Sequence, residues 1–127
     1  MLLNFRSHSD NRGSLTPINI KDLPFETKRI FYVSGVPEGD VRGKHAHKTN
    51  KQILVCVSGS IEVSLDDGDK VQSYILNEND GIFVDQLIWD EQKYLTGNDI
   101  LLSICSNEYD ESDYIRDYNQ FKELVWT

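Results

Sequence analysis

The stretch Gln52-Ile53-Leu54-Val55-Cys56-Val57-Ser58-Gly59-Ser60-Ile61-Glu62-Val63-Ser64-Leu65-Asp66-Asp67-Gly68 decides the fold class. Gln52 to Val57 is an apolar strand, and Ser58-Gly59-Ser60 is a tight turn. Ile61, Val63 and Leu65 then alternate with Glu62 and Ser64, one face for a core and one for water. Asp67-Gly68 is a hairpin signal, and Val71 to Leu76 is the returning strand. Upstream, Ile30-Phe31-Tyr32-Val33 is β-branched and aromatic, and Ser34 to Asp40 breaks it. Downstream, Asn77 to Gly81 turns, Ile82-Phe83-Val84 follows, and Asp99 to Cys105 supplies a late apolar strand. Short strands with Gly and Asp turns and no helices between them argue an all-β sandwich or barrel. The end differs. Tyr114, Tyr118, Phe121 and Val125 fall at helical spacing with Ser112 as cap, which predicts one amphipathic helix lying against the barrel.

The 127 residues fit a single domain, 1–127, with no linker, repeat or low-complexity stretch. Thirteen Lys and Arg against 21 Asp and Glu give a net charge of −8, a surface that repels nucleic acid. A local arginine cluster could still hold one small anion. Cys56 and Cys105 lie inside apolar runs and read as reduced core thiols of a cytoplasmic protein. Met1 to Phe5 is too short for a signal peptide, and no apolar run approaches the length of a membrane span. The same short apolar segment suits a strand exchanged with a partner to cap an open sheet edge.

His45-Ala46-His47 is the most informative tripeptide, because it uses two of the chain's three histidines. In a strand, residues i and i+2 share a face, so both imidazoles project together. Such a pair suits metal ligation, proton transfer or anion contact. From Gly39 to Gly59 the sequence runs G-x5-H-x-H-x4-Q-x6-G, which resembles the first signature of the cupin superfamily. That resemblance implies a small jelly-roll barrel. Metal-binding cupins carry Glu where this chain has Gln52, and a third metal histidine in a second signature. Here the matching region reads Leu87-Ile88-Trp89-Asp90-Glu91-Gln92, and His8 lies far upstream. A tight divalent site wants three or four good ligands. The expectation is therefore a metal-free pair acting as acid, base or hydrogen-bonding groups, with Asp90 or Glu91 the only residues able to complete a metal site.

A narrower resemblance spans almost the whole chain. Asp10-Asn11-Arg12-Gly13-Ser14-Leu15, Lys28-Arg29-Ile30-Phe31-Tyr32, Arg42-Gly43-Lys44-His45-Ala46-His47-Lys48 and Tyr109-Asp110-Glu111-Ser112-Asp113-Tyr114-Ile115-Arg116 are similar to blocks of the WxcM-like cupins. These are dTDP-sugar 3,4-ketoisomerases of bacterial surface-polysaccharide pathways. The resemblance implies conversion of dTDP-4-keto-6-deoxyglucose to a 3-keto isomer, a homodimer and no cofactor. The chemistry fits the residues. Moving a keto group between adjacent carbons needs removal of a proton α to the carbonyl, an enediol and return of a proton, with a base near neutrality.

The resemblance implies His47 and His45 as catalytic residues. We take His47 as the base and His45 as its acid or oxygen-polarising partner, with the reverse order open. Arg12, Arg29 and Arg42 suit the diphosphate, because a guanidinium fork binds phosphate oxygens in a bidentate way. Tyr32, Lys44, Gln52 and Trp89 complete the implied substrate-binding set, with Trp89 read either as a stacking partner for thymine or as packing. In a regular strand Arg42 and His45 would face opposite sides, and only a bulge near Gly43 would bring them together. Tyr109 to Tyr114 reads as an acidic helix start with a structural role. Two rival functions are a dTDP-keto-sugar 3,5-epimerase and a non-catalytic sugar-nucleotide-binding cupin.

Overall fold

Alternation of inward and outward positions sorts the strands of this computed structural model, which describes residues 1–126, into two antiparallel five-stranded sheets. The first sheet runs, in spatial order, β1 (Leu2–Asn4), β9 (Asp80–Val84), β6 (Gln52–Ser58), β11 (Ile100–Cys105) and β4 (Arg29–Val33). The second runs β12 (Tyr114–Ile115), β5 (Val41–His47), β10 (Trp89–Tyr94), β7 (Ile61–Asp66) and β8 (Val71–Leu76). A separate hairpin joins β2 (His8–Asp10) to β3 (Gly13–Leu15), and one helix, α1 (Tyr118–Trp126), ends the described chain. This is the all-β cupin-type barrel with a C-terminal helix that the sequence implied.

The two sheets enclose Leu54, Cys56, Ile61, Val63, Leu76, Ile82, Tyr94 and Leu101. Strand β6 reads as a continuous apolar run because both of its faces are covered. Leu54 and Cys56 point into the barrel, while Ile53 and Val55 lie beneath Leu3, Phe5, Ile18, Leu23 and Phe25 of the N-terminal segment. Strand β7 has one covered face, so Ile61 and Val63 are fully buried while Glu62 and Ser64 are partly open. Both cysteines are free and buried, and burial pushes the Cys56 thiol up to about 12. Among the described residues, no helix is long and apolar enough to cross a membrane.

Strand β1 pairs with β9, Leu2 opposite Ile82, and forms the edge of the first sheet. The C-terminal helix and strand β10 differ from the sequence reading. The C-terminal helix starts at Tyr118, not near Ser112. Asp110 caps a short 3-10 turn over Glu111–Asp113, and Tyr114–Ile115 pairs with β5. Asp117 then caps α1 by accepting the Gln120 N–H at 3.1 Å. Strand β10 carried no apolar alternation to reveal it, because its inward positions include Asp90 and Gln92.

Helix α1 buries Phe121 against Ala46, Trp89 and Ile115 on the outer face of the second sheet. Lys122 Nζ and Trp126 Nε1 both donate to the Gly68 carbonyl, at 2.9 and 2.8 Å, and tie the helix to the β7–β8 turn. Ala46 therefore points outward to the helix, and its neighbours His45 and His47 point into the barrel.

Candidate active site

A bulge in β5 builds the site. Asp90 pairs with His45 and the next residue, Glu91, pairs with Gly43, so Lys44 is an extra, unpaired residue. Lys44 and Gly43 both take left-handed backbone angles, φ 58° and 87°. The extra residue reverses the side-chain parity below it, and Arg42 comes to the same side as His45. The objection raised by strand alternation is thereby removed. Arg42, Gly43, His45, Gln52 and Gln92 line a cavity of about 70 Å³ whose other wall is Phe31, Val33, Leu54 and Leu101.

The two imidazoles sit 5.1 Å apart, centroid to centroid, in an edge-on arrangement. Tyr114 closes the cluster, 5.1 Å from the His45 ring and 4.4 Å from the His47 ring. Each histidine has its Nδ1 engaged: His45 with the Gly43 carbonyl at 3.1 Å and His47 with Asp113 Oδ2 at 3.1 Å. Burial opposes the Asp113 carboxylate, but hydrogen bonds from Thr49, Asn50 and His47 outweigh it and hold its pKa below the usual value. A carbonyl and an ionised carboxylate can only accept, so each Nδ1 carries the hydrogen and each Nε2 keeps a free lone pair. Burial, the His47 ring and Arg116 pull the His45 pKa down to about 4. Burial also lowers that of His47, against the opposing pull of Asp113. Both are neutral bases at neutral pH.

Beside them lies a buried polar chain. Asp90 is fully buried with no cation, and burial raises its pKa to about 7 against the opposing Gln92 and Gln52 amides. Gln52 and Gln92 each donate an amide N–H to this carboxyl, so their oxygens turn to Ser103 and Tyr94. Arg29 contributes charge. Its guanidinium lies over the Phe31 and Tyr109 rings, and Nη2 donates to Tyr114 Oη at 3.4 Å and Cys105 Sγ at 3.6 Å. Its Nε–H is buried with no partner, and among the described residues no carboxylate pairs with it. An orphaned N–H on an unpaired cation suits an anion.

The residues expected from the sequence divide into two groups. His45, His47, Arg29, Arg42 and Gln52 converge. Lys44 is exposed as the bulge residue and lines none of the cavity. Tyr32 points outward from the edge strand β4 with 72% exposure, because the inward positions of that strand are Arg29, Phe31 and Val33. Trp89 packs under α1 against Tyr118 and Phe121 and donates Nε1–H to Glu91 at 3.0 Å. Arg12 projects from the β2–β3 hairpin, paired with Asp10 at 2.7 Å. Tyr109 to Tyr114, read as structural, instead brings Tyr114 and Asp113 into contact with the histidines. Its signal was the quoted D-E-x-D-Y-I-R block itself.

The cupin motif raises the question of a metal. Among the described residues no three His, Cys, Asp or Glu side chains converge as ligands. Asp90, the carboxylate opposite His45, is already bonded by two amides, and Gln52 replaces an ionisable ligand. This donor set does not fit a divalent cation.

The chain is similar to known proteins over almost its whole length. The family model described as FdtA, WxcM-like, C-terminal matches residues 1–126. A TDP-4-oxo-6-deoxy-alpha-D-glucose-3,4-oxoisomerase of Aneurinibacillus thermoaerophilus is 38% identical over 126 residues, covering 98% of this chain and 91% of that protein. The crystal structure of a 3,4-ketoisomerase from Helicobacter canadensis matches with a TM-score of 0.93 and 41% identity, over 100% of this chain and 97% of that one. A histidine-to-asparagine variant of the 3,4-ketoisomerase QdtA from Thermoanaerobacterium thermosaccharolyticum, in complex with TDP-4-keto-6-deoxyglucose, matches with a TM-score of 0.92 and 35% identity, over 98% and 92% of the two chains.

Proposed function

The chain belongs to the FdtA, WxcM-like C-terminal family, and we propose that it converts dTDP-4-keto-6-deoxyglucose to its 3-keto isomer by histidine acid–base proton transfer. The observation that carries this reading is the neutral, tautomer-fixed His45 imidazole at a cavity that also holds Arg42, with the His47 imidazole packed edge-on against it. His45 Nε2 takes the proton from C3. The electron pair forms the C3–C4 double bond, and the C4 carbonyl oxygen becomes the enediol oxygen. The C3 hydroxyl passes its proton to the C4 oxygen, its own oxygen becomes the new carbonyl, and C4 receives the proton that His45 took from C3. Oxidation at C3 balances reduction at C4, so no redox cofactor enters.

The sequence reading takes His47 as the base with the reverse order open, and the geometry favours that reverse order, with His45 as the base. His45 lines the cavity, whereas His47 is 4% exposed and its ring is wedged between Asp113 and Tyr114. His47 then serves as the relay and acid partner, its charge stabilised by the Asp113 carboxylate as in other His–Asp pairs. Arg29 and Arg42 hold the diphosphate. A cytoplasmic setting accords with two free buried thiols. A homodimer accords with the exposed apolar outer face of β4, where Ile30 is 54% and Tyr32 72% exposed. A monomer in sedimentation at micromolar concentration would refute that.

The test of function is incubation with dTDP-4-keto-6-deoxyglucose followed by NMR. A carbonyl moved from C4 to C3 supports the isomerase. Inversion at C5 would mean an epimerase, and binding without turnover a sugar-nucleotide sensor.

A further inference from the structure

We infer that Tyr114 is a third catalytic residue, whose hydroxyl donates a hydrogen bond to the substrate oxygen that gains charge as the enediol forms. The inference rests on the ketoisomerase reading and adds to it a group outside the histidine pair. Tyr114 touches both histidines and Arg29. Its ring contacts both imidazoles, at 5.1 and 4.4 Å, and the Arg116 guanidinium stacks on it at 4.4 Å. Strand β12 fixes this position, because Tyr114 lies directly opposite His47 in the ladder with β5.

The direction of its hydrogen follows from donor chemistry. Arg29 can only donate, so Tyr114 Oη accepts in their 3.4 Å contact. No described residue accepts the phenol's own hydrogen, which leaves it available to a bound molecule. A guanidinium on the phenol oxygen makes that O–H a stronger donor, and a second guanidinium on the ring face holds it still. A donor in this state, next to the base that removes the C3 proton, is placed to meet the negative oxygen that develops at C4. When the carbonyl passes to C3, the bond is released with no net transfer from tyrosine, so its proton balance closes.

The test separates hydroxyl from ring. Tyr114→Phe keeps the ring against both histidines and loses only the donor. The expected result is a fall in kcat of about 10²–10³-fold, with dTDP affinity by calorimetry and melting temperature unchanged. A kcat equal to the wild type would overturn the inference. So would a raised KM with unchanged kcat, which would assign the hydroxyl to holding Arg29. Tyr114→Leu, which removes the ring as well, must lose at least as much kcat as Tyr114→Phe; a smaller loss also overturns the inference. Wild-type enzyme that fails to isomerise the sugar would instead refute the ketoisomerase reading, and with it this role.

Discussion

Replacing Gly43 by Ala should damage stability and activity together, because one residue carries both the bulge and a bond to the base. Its φ of 87° is left-handed, which costs an L-residue roughly 1–2 kcal/mol. The added Cβ would stand 2.8 Å from Gln92 Nε2, 2.9 Å from Asp90 Oδ1 and 3.0 Å from the Asp90 carbonyl. Gln92 can swing aside, but the Asp90 carbonyl belongs to the β5–β10 ladder and cannot retreat without opening it. Such overpacking costs about 1–3 kcal/mol. The sum is about 2–5 kcal/mol, a fall in Tm of about 8–20 °C for a domain of this size. Differential scanning calorimetry measures it, with kcat/KM on the folded fraction as the second reading. The Gly43 carbonyl accepts from His45 Nδ1, and Arg42 faces the cavity only through the bulge, so kcat/KM should fall as well. A Tm and a kcat/KM both equal to the wild type would refute the bulge as the origin of the site.

Two further outcomes follow from the same geometry. The His45 pKa falls from 6.5 in an unfolded chain to about 4 in the fold, so its contribution to stability is complete above pH 6.5 and drains away as pH falls toward 4. Urea unfolding should show the wild type losing on the order of 2–3 kcal/mol relative to His45→Asn across that window; parallel curves would sink the claim. Arg29→Gln removes the unpaired guanidinium, and KM should rise about 10–100-fold as a charged hydrogen bond is lost. An unchanged KM would take Arg29 out of substrate binding.

The barrel was legible because apolar alternation and turn residues mark β6, β7, β8 and β11 directly. Strand β10 escaped because its inward side chains are polar, and it is those same side chains, Asp90 and Gln92, that build the site floor. A functional strand thus loses the pattern that would announce it. His45 and His47 were legible from i, i+2 spacing alone. Arg42 was not, since its side depends on one unpaired residue, Lys44, which only register reveals. Tyr32 and Trp89 lie away from the histidine cluster for the converse reason. Their chemistry suits a sugar nucleotide, but strand parity turns the first outward and the second under α1. Asp113 and Tyr114 were hidden by an apparent helix period that begins one strand too early.

The proposed mechanism depends on which imidazole moves the proton. The direct measurement is NMR of dTDP-4-keto-6-deoxyglucose in deuterated buffer with wild type, His45→Asn and His47→Asn. The expected result is carbonyl migration by the wild type, and with His45→Asn neither migration nor deuterium at C3. Migration or C3 exchange that survives loss of His45 but vanishes with His47→Asn would contradict it.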